Sequence, residues 1–180
     1  MNKNLFIIAA VAFFAIILSM VAFSFTARDN VVYFMAIEAF KRKDYKNAFR
    51  EFLTLAEKGD QRAAGAVGLM YVNGLGVDTN EKVGAAWLSN AADNKDAEAT
   101  HSLGELYAEG TGVPQSKVMA QALYIYSAEL GSEAGRVFKG RLAAELPPAD
   151  AARAERIARQ FSQSGSVTDV IDRHIKKRNE

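Results

Sequence analysis

The chain contains nearly the same eleven residues twice. The stretch "VGLMYVNGLGV" occupies residues 67–77 and "LGELYAEGTGV" occupies residues 103–113, so the two copies lie 36 residues apart. The same interval separates three further sets of small residues, which are Ala63, Ala99 and Gly135; Gly68, Gly104 and Gly140; and Ala56, Ala92 and Ala128. A fixed period between about 20 and 50 residues is typical of a solenoid, in which each unit buries its apolar face against its neighbours. The repeat therefore predicts stacked copies of one structural unit.

Each period is predicted to contain two helices, which we name helix A and helix B. Between Ala97 and Tyr107, apolar and small residues recur at helical spacing, and this helix A ends at Gly110 as the preceding copy ends at Gly74. Helix B needs a start signal, and three residues that can cap a first turn lie 36 apart, namely Asp44, Asn80 and Ser116. The period therefore predicts a helical hairpin for each copy.

These residues resemble a known family. The pattern L-G-x-L-Y-x-x-G-x-G-V, followed about ten residues later by W-x-x-x-A-A, closely resembles the Sel-1-like repeat, a relative of the tetratricopeptide repeat. The resemblance covers about residues 30–161, with one repeat at about 59–95 and a second at about 95–131. It implies an all-α fold, a right-handed α-solenoid of helical hairpins. A tetratricopeptide-like hairpin precedes these repeats, a degenerate third copy follows them, and two more helices are expected after Pro147.

The N-terminus predicts a membrane segment. Residues 5–25 form an uncharged apolar run whose length as a helix matches the hydrocarbon core of a bilayer. We expect three parts, which are an N-terminal transmembrane helix at 1–27, the repeat solenoid at 30–163, and a C-terminal capping helix with a basic tail at 164–180. The expected location is the bacterial inner membrane, crossed once, with the repeats in the periplasm. A cytoplasmic orientation remains an alternative, as does a secreted chain whose leader is cleaved near Ala22-Phe23-Ser24.

Composition and motifs favour a protein without catalytic, metal or cofactor sites. Lys3 is the only charged residue before Arg28, so the remaining chain has as many Lys and Arg as its 21 Asp and Glu, which gives no footprint for nucleic acid. There is no Cys, and the two His residues lack the spacing of a metal site. The glycines after helix A have no strand before them, which a nucleotide-binding loop requires. We therefore predict no enzyme, no cofactor and no nucleic-acid partner.

The remaining candidate site is a protein-binding surface on the A helices. In stacked hairpins these helices are expected to line the concave side, where positions outside the packing stripe are free to vary. We expect the groove around Leu69 and His101 to accept a helix or extended segment of a partner, with His101 exposed. The alternative is that Leu69 packs on the N-terminal hairpin or on the membrane-proximal helix. The predicted partner-binding residues are Leu69, Val72, Asn73, Thr100, His101, Glu105 and Glu109.

The resemblance implies the function of an adaptor. We expect a membrane-anchored scaffold that contacts other proteins, as an accessory or assembly subunit of a bacterial envelope membrane complex, with residues 5–25 in the bilayer. One alternative is a secreted Sel-1-like protein acting on host or cell-wall partners. Another is a ligand-binding protein or hydrolase of the envelope.

Overall fold

The structure, a computed structural model, describes residues 28–179, with side chains described up to residue 175. All the secondary structure in this part of the chain is helical, and turns or loops join the helices. The helices are α1 (28–41), α2 (Tyr45–Glu57), α3 (Gln61–Asn73), α4 (Glu81–Asp93), α5 (Ala97–Glu109), α6 (Lys117–Glu129), α7 (Glu133–Glu145), α8 (Pro148–Ser164) and α9 (Val167–Asn179). The predicted all-helical solenoid is confirmed, with α1, α3, α5 and α7 in the place of helix A and α2, α4 and α6 in the place of helix B.

The membrane helix predicted at residues 1–27 lies outside the described residues. Among residues 28–179, no helix has both the length and the apolar content needed to cross a bilayer.

Side-chain caps start the helices at a regular interval. Asp44, Asn80 and Ser116 each accept a hydrogen bond from a first-turn backbone N–H of a B helix, as the sequence predicts. The A helices α3, α5 and α7 are capped in the same way, and at the same interval, by Asp60, Asp96 and Ser132. These three caps are not among the predictions from the sequence. The first turn of each helix from α2 to α7 is therefore specified by local side-chain chemistry.

The hairpins pack closely because the A helices present glycine to the B helices. In the second repeat, a Cβ atom at Gly104 would lie 2.7 Å from Cε1 of Tyr124 on α6, well inside van der Waals contact. After α5 the chain turns at Gly110, whose φ of 82° lies in the left-handed region that glycine adopts without strain. Close approach within a hairpin thus depends on one missing methyl group.

The last two helices do not extend the stack. Helix α8 packs against α6, with the rings of Phe161 and Tyr126 5.6 Å apart, and α9 packs against both α8 and α4. Asp93, which ends α4, accepts hydrogen bonds from the backbone N–H groups of Val167 and Thr168. The predicted helices after Pro147 are therefore present, and they fold back along the B helices.

Candidate functional site

The A helices form one continuous surface, because α3 contacts α5 and α5 contacts α7. We define the A-face as the exposed side chains of these three helices. Leu69, Glu105 and Arg141 occupy equivalent positions on it, 36 residues apart. Leu69 is 41% exposed, so a large part of its side chain is accessible to a partner. The A-face thus presents an apolar, an acidic and a basic side chain at one repeated position.

A shallow cleft of about 270 Å³ lies on the A-face between α5 and α7. The rings of Tyr124 and Phe138 form its aromatic part, with centroids 5.5 Å apart, and the guanidinium of Arg141 lies 5.5 Å from the Phe138 ring. An ion pair of 3.0 Å joins Lys117 to Glu145 beside it. The lining residues are Glu105, Ala108, Glu109, Lys117, Tyr124, Phe138, Arg141, Leu142 and Glu145.

The cleft is lined by three carboxylates, those of Glu105, Glu109 and Glu145, and by the cations of Lys117 and Arg141. Burial, with a smaller contribution from the charges of Glu105 and Glu109, raises the pKa of the Tyr124 hydroxyl to about 12. Carboxylates that disfavour a tyrosinate create a negative potential at the ring. Glu105 and Glu109 therefore favour a positive group beside the Tyr124 ring, whereas Lys117 and Arg141 oppose one elsewhere in the cleft.

Two of the predicted site residues are buried, so the expectation that they are exposed is wrong, whereas their part in partner binding stays a prediction. Thr100 is fully buried and its hydroxyl donates to the backbone oxygen of Asp96 at 2.7 Å. His101 is only 7% exposed and lies against Phe138 and Tyr124, with ring centroids 4.9 and 5.4 Å away. Its Nδ1 is 3.8 Å from Glu105 Oε2, and its Nε2 has no hydrogen-bond partner within the described residues. His101 therefore packs behind the two aromatic rings of the cleft, and its side chain is not exposed for contact with a partner.

The structure brings the other predicted residues to the A-face. Glu105 and Glu109 line the cleft, whereas Leu69 and Asn73 are exposed on the neighbouring helix α3. The Asn73 side chain donates to the backbone oxygen of Leu69 at 2.8 Å, and Val72 is half-buried against the core. The predicted surface is thus a cleft on α5 with an apolar flank on α3.

Of the nine lining residues, the sequence predicted only Glu105 and Glu109; Tyr124, Phe138 and Arg141 are the most informative of the seven that it missed. Arg141 has the same register as Leu69 and Glu105, so the repeat interval alone could have located it. Tyr124 is buried and Phe138 is half-buried, so both resemble packing residues in the sequence and gave no signal of a cleft.

A second, smaller cavity of about 170 Å³ lies between the α5–α6 loop and helices α8 and α9. Tyr107, Arg153 and His174 contribute to its lining, and His174 Nε2 lies 3.1 Å from Gln160 Oε1. The described residues include no group of three His, Asp or Glu side chains that could hold a metal ion.

The chain is similar to known Sel1 repeat proteins. Residues 61–96 and 97–132 match the family model of the Sel1 repeat, within two residues of the repeats predicted from the sequence. A protective antigen present in uropathogenic Escherichia coli strains, which displays an SLR fold, superposes with a TM-score of 0.72 at 23% identity over 82% of this chain. A Sel1 repeat protein from Oxalobacter formigenes superposes with a TM-score of 0.59 at 26% identity over 74% of this chain. The chain corresponds to 32% and 62% of the lengths of these two proteins. The described part of the chain is therefore an α-helical solenoid that contains two Sel1 repeats.

Proposed function

We propose that this chain is a non-catalytic adaptor that binds a partner protein on its A-face. The observation that supports the proposal most is the contrast along one repeated position. Leu69, Glu105 and Arg141 share a register and differ in chemistry, while Val67 and Leu103, two residues before the first two of them, are fully buried in both Sel1 repeats. Packing keeps Val67 and Leu103 apolar, whereas it sets no such requirement at the exposed position, so the variation there is available for recognition.

The chemistry of the A-face indicates the kind of segment that it would bind. The cleft offers the carboxylates of Glu105 and Glu109 beside the half-buried Phe138 ring. Leu69 adds an exposed apolar contact on the next helix. A partner segment with a basic side chain adjacent to an apolar one would match both features.

Affinity purification of the detergent-solubilised full-length protein tests this proposal. Leu69→Asp and Glu105→Lys are expected to lose the proteins that co-purify with the wild type, because both substitutions change exposed A-face groups. Matched substitutions on exposed B-helix positions, Ala86→Asp and Glu57→Lys, are expected to retain them. If the two A-face variants recover the same proteins as the wild type, the A-face is not the binding surface.

The membrane location is the second part of the proposal. We propose that residues 5–25 cross a bacterial inner membrane, that the solenoid lies in the periplasm, and that the partner belongs to an envelope complex. The support is the length of the uncharged run, together with the bacterial sources of both similar structures. Mass spectrometry of the mature N-terminus separates this proposal from the secreted alternative, because a chain that begins at Phe25 has lost its anchor.

A further inference from the structure

Helix α1 has an apolar face that nothing in the described part of the chain covers. Val31, Phe34 and Met35 lie at i, i+3 and i+4, so they share one side of the helix. They are 59%, 63% and 63% exposed, the largest exposures of any large apolar side chain among the described residues. We call these three residues the α1 apolar face. An exposed cluster of this kind is typical of a contact surface.

The repeat register explains why these residues are apolar. One period later the equivalent positions are Val67, Met70 and Tyr71 on α3. Val67 and Met70 are 0% and 1% exposed, and Tyr71 packs edge-on against Phe49 of α2, with ring centroids 5.1 Å apart. These positions therefore meet the B helix of the preceding hairpin. In α1 the same positions lie at the N-terminal end of the stack, where the described residues include no preceding B helix.

One charged residue, Arg28, argues against a further hairpin packed at the N-terminal end of the solenoid. Arg28 is exposed, whereas the equivalent residues in the next two repeats, Ala64 and Thr100, are 2% and 0% exposed. A guanidinium in that buried slot would lose its hydration without an evident partner, which is strongly unfavourable. A surface that covers apolar side chains and also accepts an exposed cation matches the boundary between lipid headgroups and acyl chains.

The neighbouring sequence supplies such a boundary. The uncharged run at residues 5–25 ends three residues before Arg28, and Val31 follows within one helical turn of Arg28. Further along the same side of α1, at seven, ten and eleven residues after Val31, the exposed residues are Glu38, Lys41 and Arg42. Phe40 is also 38% exposed, but it is on another side of the helix, with its ring 5.2 Å from that of Tyr45. We propose that the α1 apolar face lies in the headgroup boundary of the bilayer, where lipid takes the place of a preceding B helix. This inference rests on the proposed membrane attachment and adds the orientation of the solenoid, whose N-terminal end faces the membrane.

Site-specific fluorescence of the full-length protein in phosphatidylcholine–phosphatidylglycerol vesicles tests the orientation. The chain has no Cys, so single substitutions Phe34→Cys, Met35→Cys and the control Val137→Cys each accept one environment-sensitive dye. Val137 is also exposed, on α7 at the other end of the repeats. We expect a blue shift and quenching by brominated lipid at residues 34 and 35, and neither change at residue 137.

The two proposals fail in different ways. If an alkaline carbonate wash removes the protein from the vesicles, membrane attachment is wrong and the α1 contact falls with it. If the protein resists the wash but residue 34 is as accessible to water as residue 137, attachment stands and the α1 contact is wrong.

A disulfide test distinguishes the other covers for this face. The contact between Phe49 and Tyr71 has Phe13 and Met35 as its equivalent one period earlier. In a Phe13→Cys/Met35→Cys variant, a disulfide within one chain would place residues 9–21 against α1, and a disulfide between chains would indicate a second copy. Either product, in the absence of quenching by brominated lipid, would overturn the lipid contact; we expect neither.

Discussion

Asp93 and Val167 join the middle of the solenoid to its C-terminal helix. The Asp93 carboxylate, at the end of α4, accepts a hydrogen bond of 2.6 Å from the backbone N–H of Val167, the first residue of α9. It also accepts from the backbone N–H and the hydroxyl of Thr168, at 3.0 and 2.8 Å. A residue from another helix thus satisfies N–H groups that the first turn of α9 leaves without partners.

Removing this carboxylate should release α9. We expect Asp93→Ala to reduce the free energy of unfolding by about 1–3 kcal/mol, because buried N–H groups lose their acceptor. In this variant, amide hydrogen exchange should be faster in α9 than it is in the wild type, while exchange in α5 should stay the same. Asp78→Ala, at an exposed loop position, is the control and should leave both rates unchanged. Equal α9 exchange in the Asp93 variant and the wild type would show that the contact does not hold the helix.

Two glycines in the same register should respond in opposite directions to alanine. At Gly104 the added Cβ would lie 2.7 Å from the Tyr124 ring, so Gly104→Ala should destabilise the protein by about 1–3 kcal/mol through overpacking. At Gly140 nothing lies within 4 Å of the added Cβ, and the residue is inside α7. Gly140→Ala should therefore stabilise the protein by about 0.5–1 kcal/mol through helix propensity. Urea unfolding of both variants measures the two signs, and a loss of stability in both would contradict the different packing of the third copy.

The stability of the wild type should decrease in acid partly because of Asp60. A side-chain hydrogen bond from Arg62, at 2.7 Å, is the main cause that lowers the pKa of the Asp60 carboxyl from its ordinary value. A lowered folded-state pKa gives stability that is present above about pH 4, the unfolded value, and is lost as the pH falls through the folded value. The stability difference between the wild type and Asp60→Asn should therefore shrink between pH 5 and pH 3, as measured by urea midpoints. In an Arg62→Gln background this pH dependence should be smaller, and an unchanged dependence would mean that Arg62 is not its cause.

Alkaline pH should destabilise the fold through two buried tyrosines. Burial raises the pKa of Tyr107 and of Tyr124 to about 12 in the folded protein. The unfolded chain releases these protons near the ordinary tyrosine pKa of about 10. The two tyrosines therefore stabilise the folded state fully below about pH 10, and this stabilisation is lost as the pH rises towards 12. Absorbance at 295 nm and helical circular dichroism, followed together, should show late tyrosine ionisation accompanied by unfolding. Tyr124→Phe should reduce this sensitivity, whereas ionisation of every tyrosine near pH 10 with full helicity would contradict the burial.

The periodic features of the fold were predictable from the sequence because their causes are local. Asp44, Asn80 and Ser116 cap helices by bonding backbone within three residues, so each signal is complete within one short segment. Gly74 and Gly110 end helices for an equally local reason, since both have positive φ.

The candidate site was predictable only in part because burial depends on the facing hairpin. Gly65 and His101 share a register, and the difference in size suggested an exposed, variable position. In the structure His101 fits between the rings of Tyr124 and Phe138, so the size difference is accommodated by neighbours that one period of sequence does not reveal. The contact of Asp93 with Val167 has no counterpart in the repeat interval, and the position of α9 could not be inferred for the same reason.

The position of α8 limits how this protein can lengthen. A new 36-residue unit placed after α7 would have to displace α8 from α6, and with it α9 from α4. A unit duplicated in tandem ahead of α7 would instead leave the α6–α8 contact intact while separating Asp93 from α9 unless the cap acid were copied with it. A unit inserted ahead of α4 would leave both contacts intact, so the C-terminal packing permits lengthening before α4 and opposes it after α7.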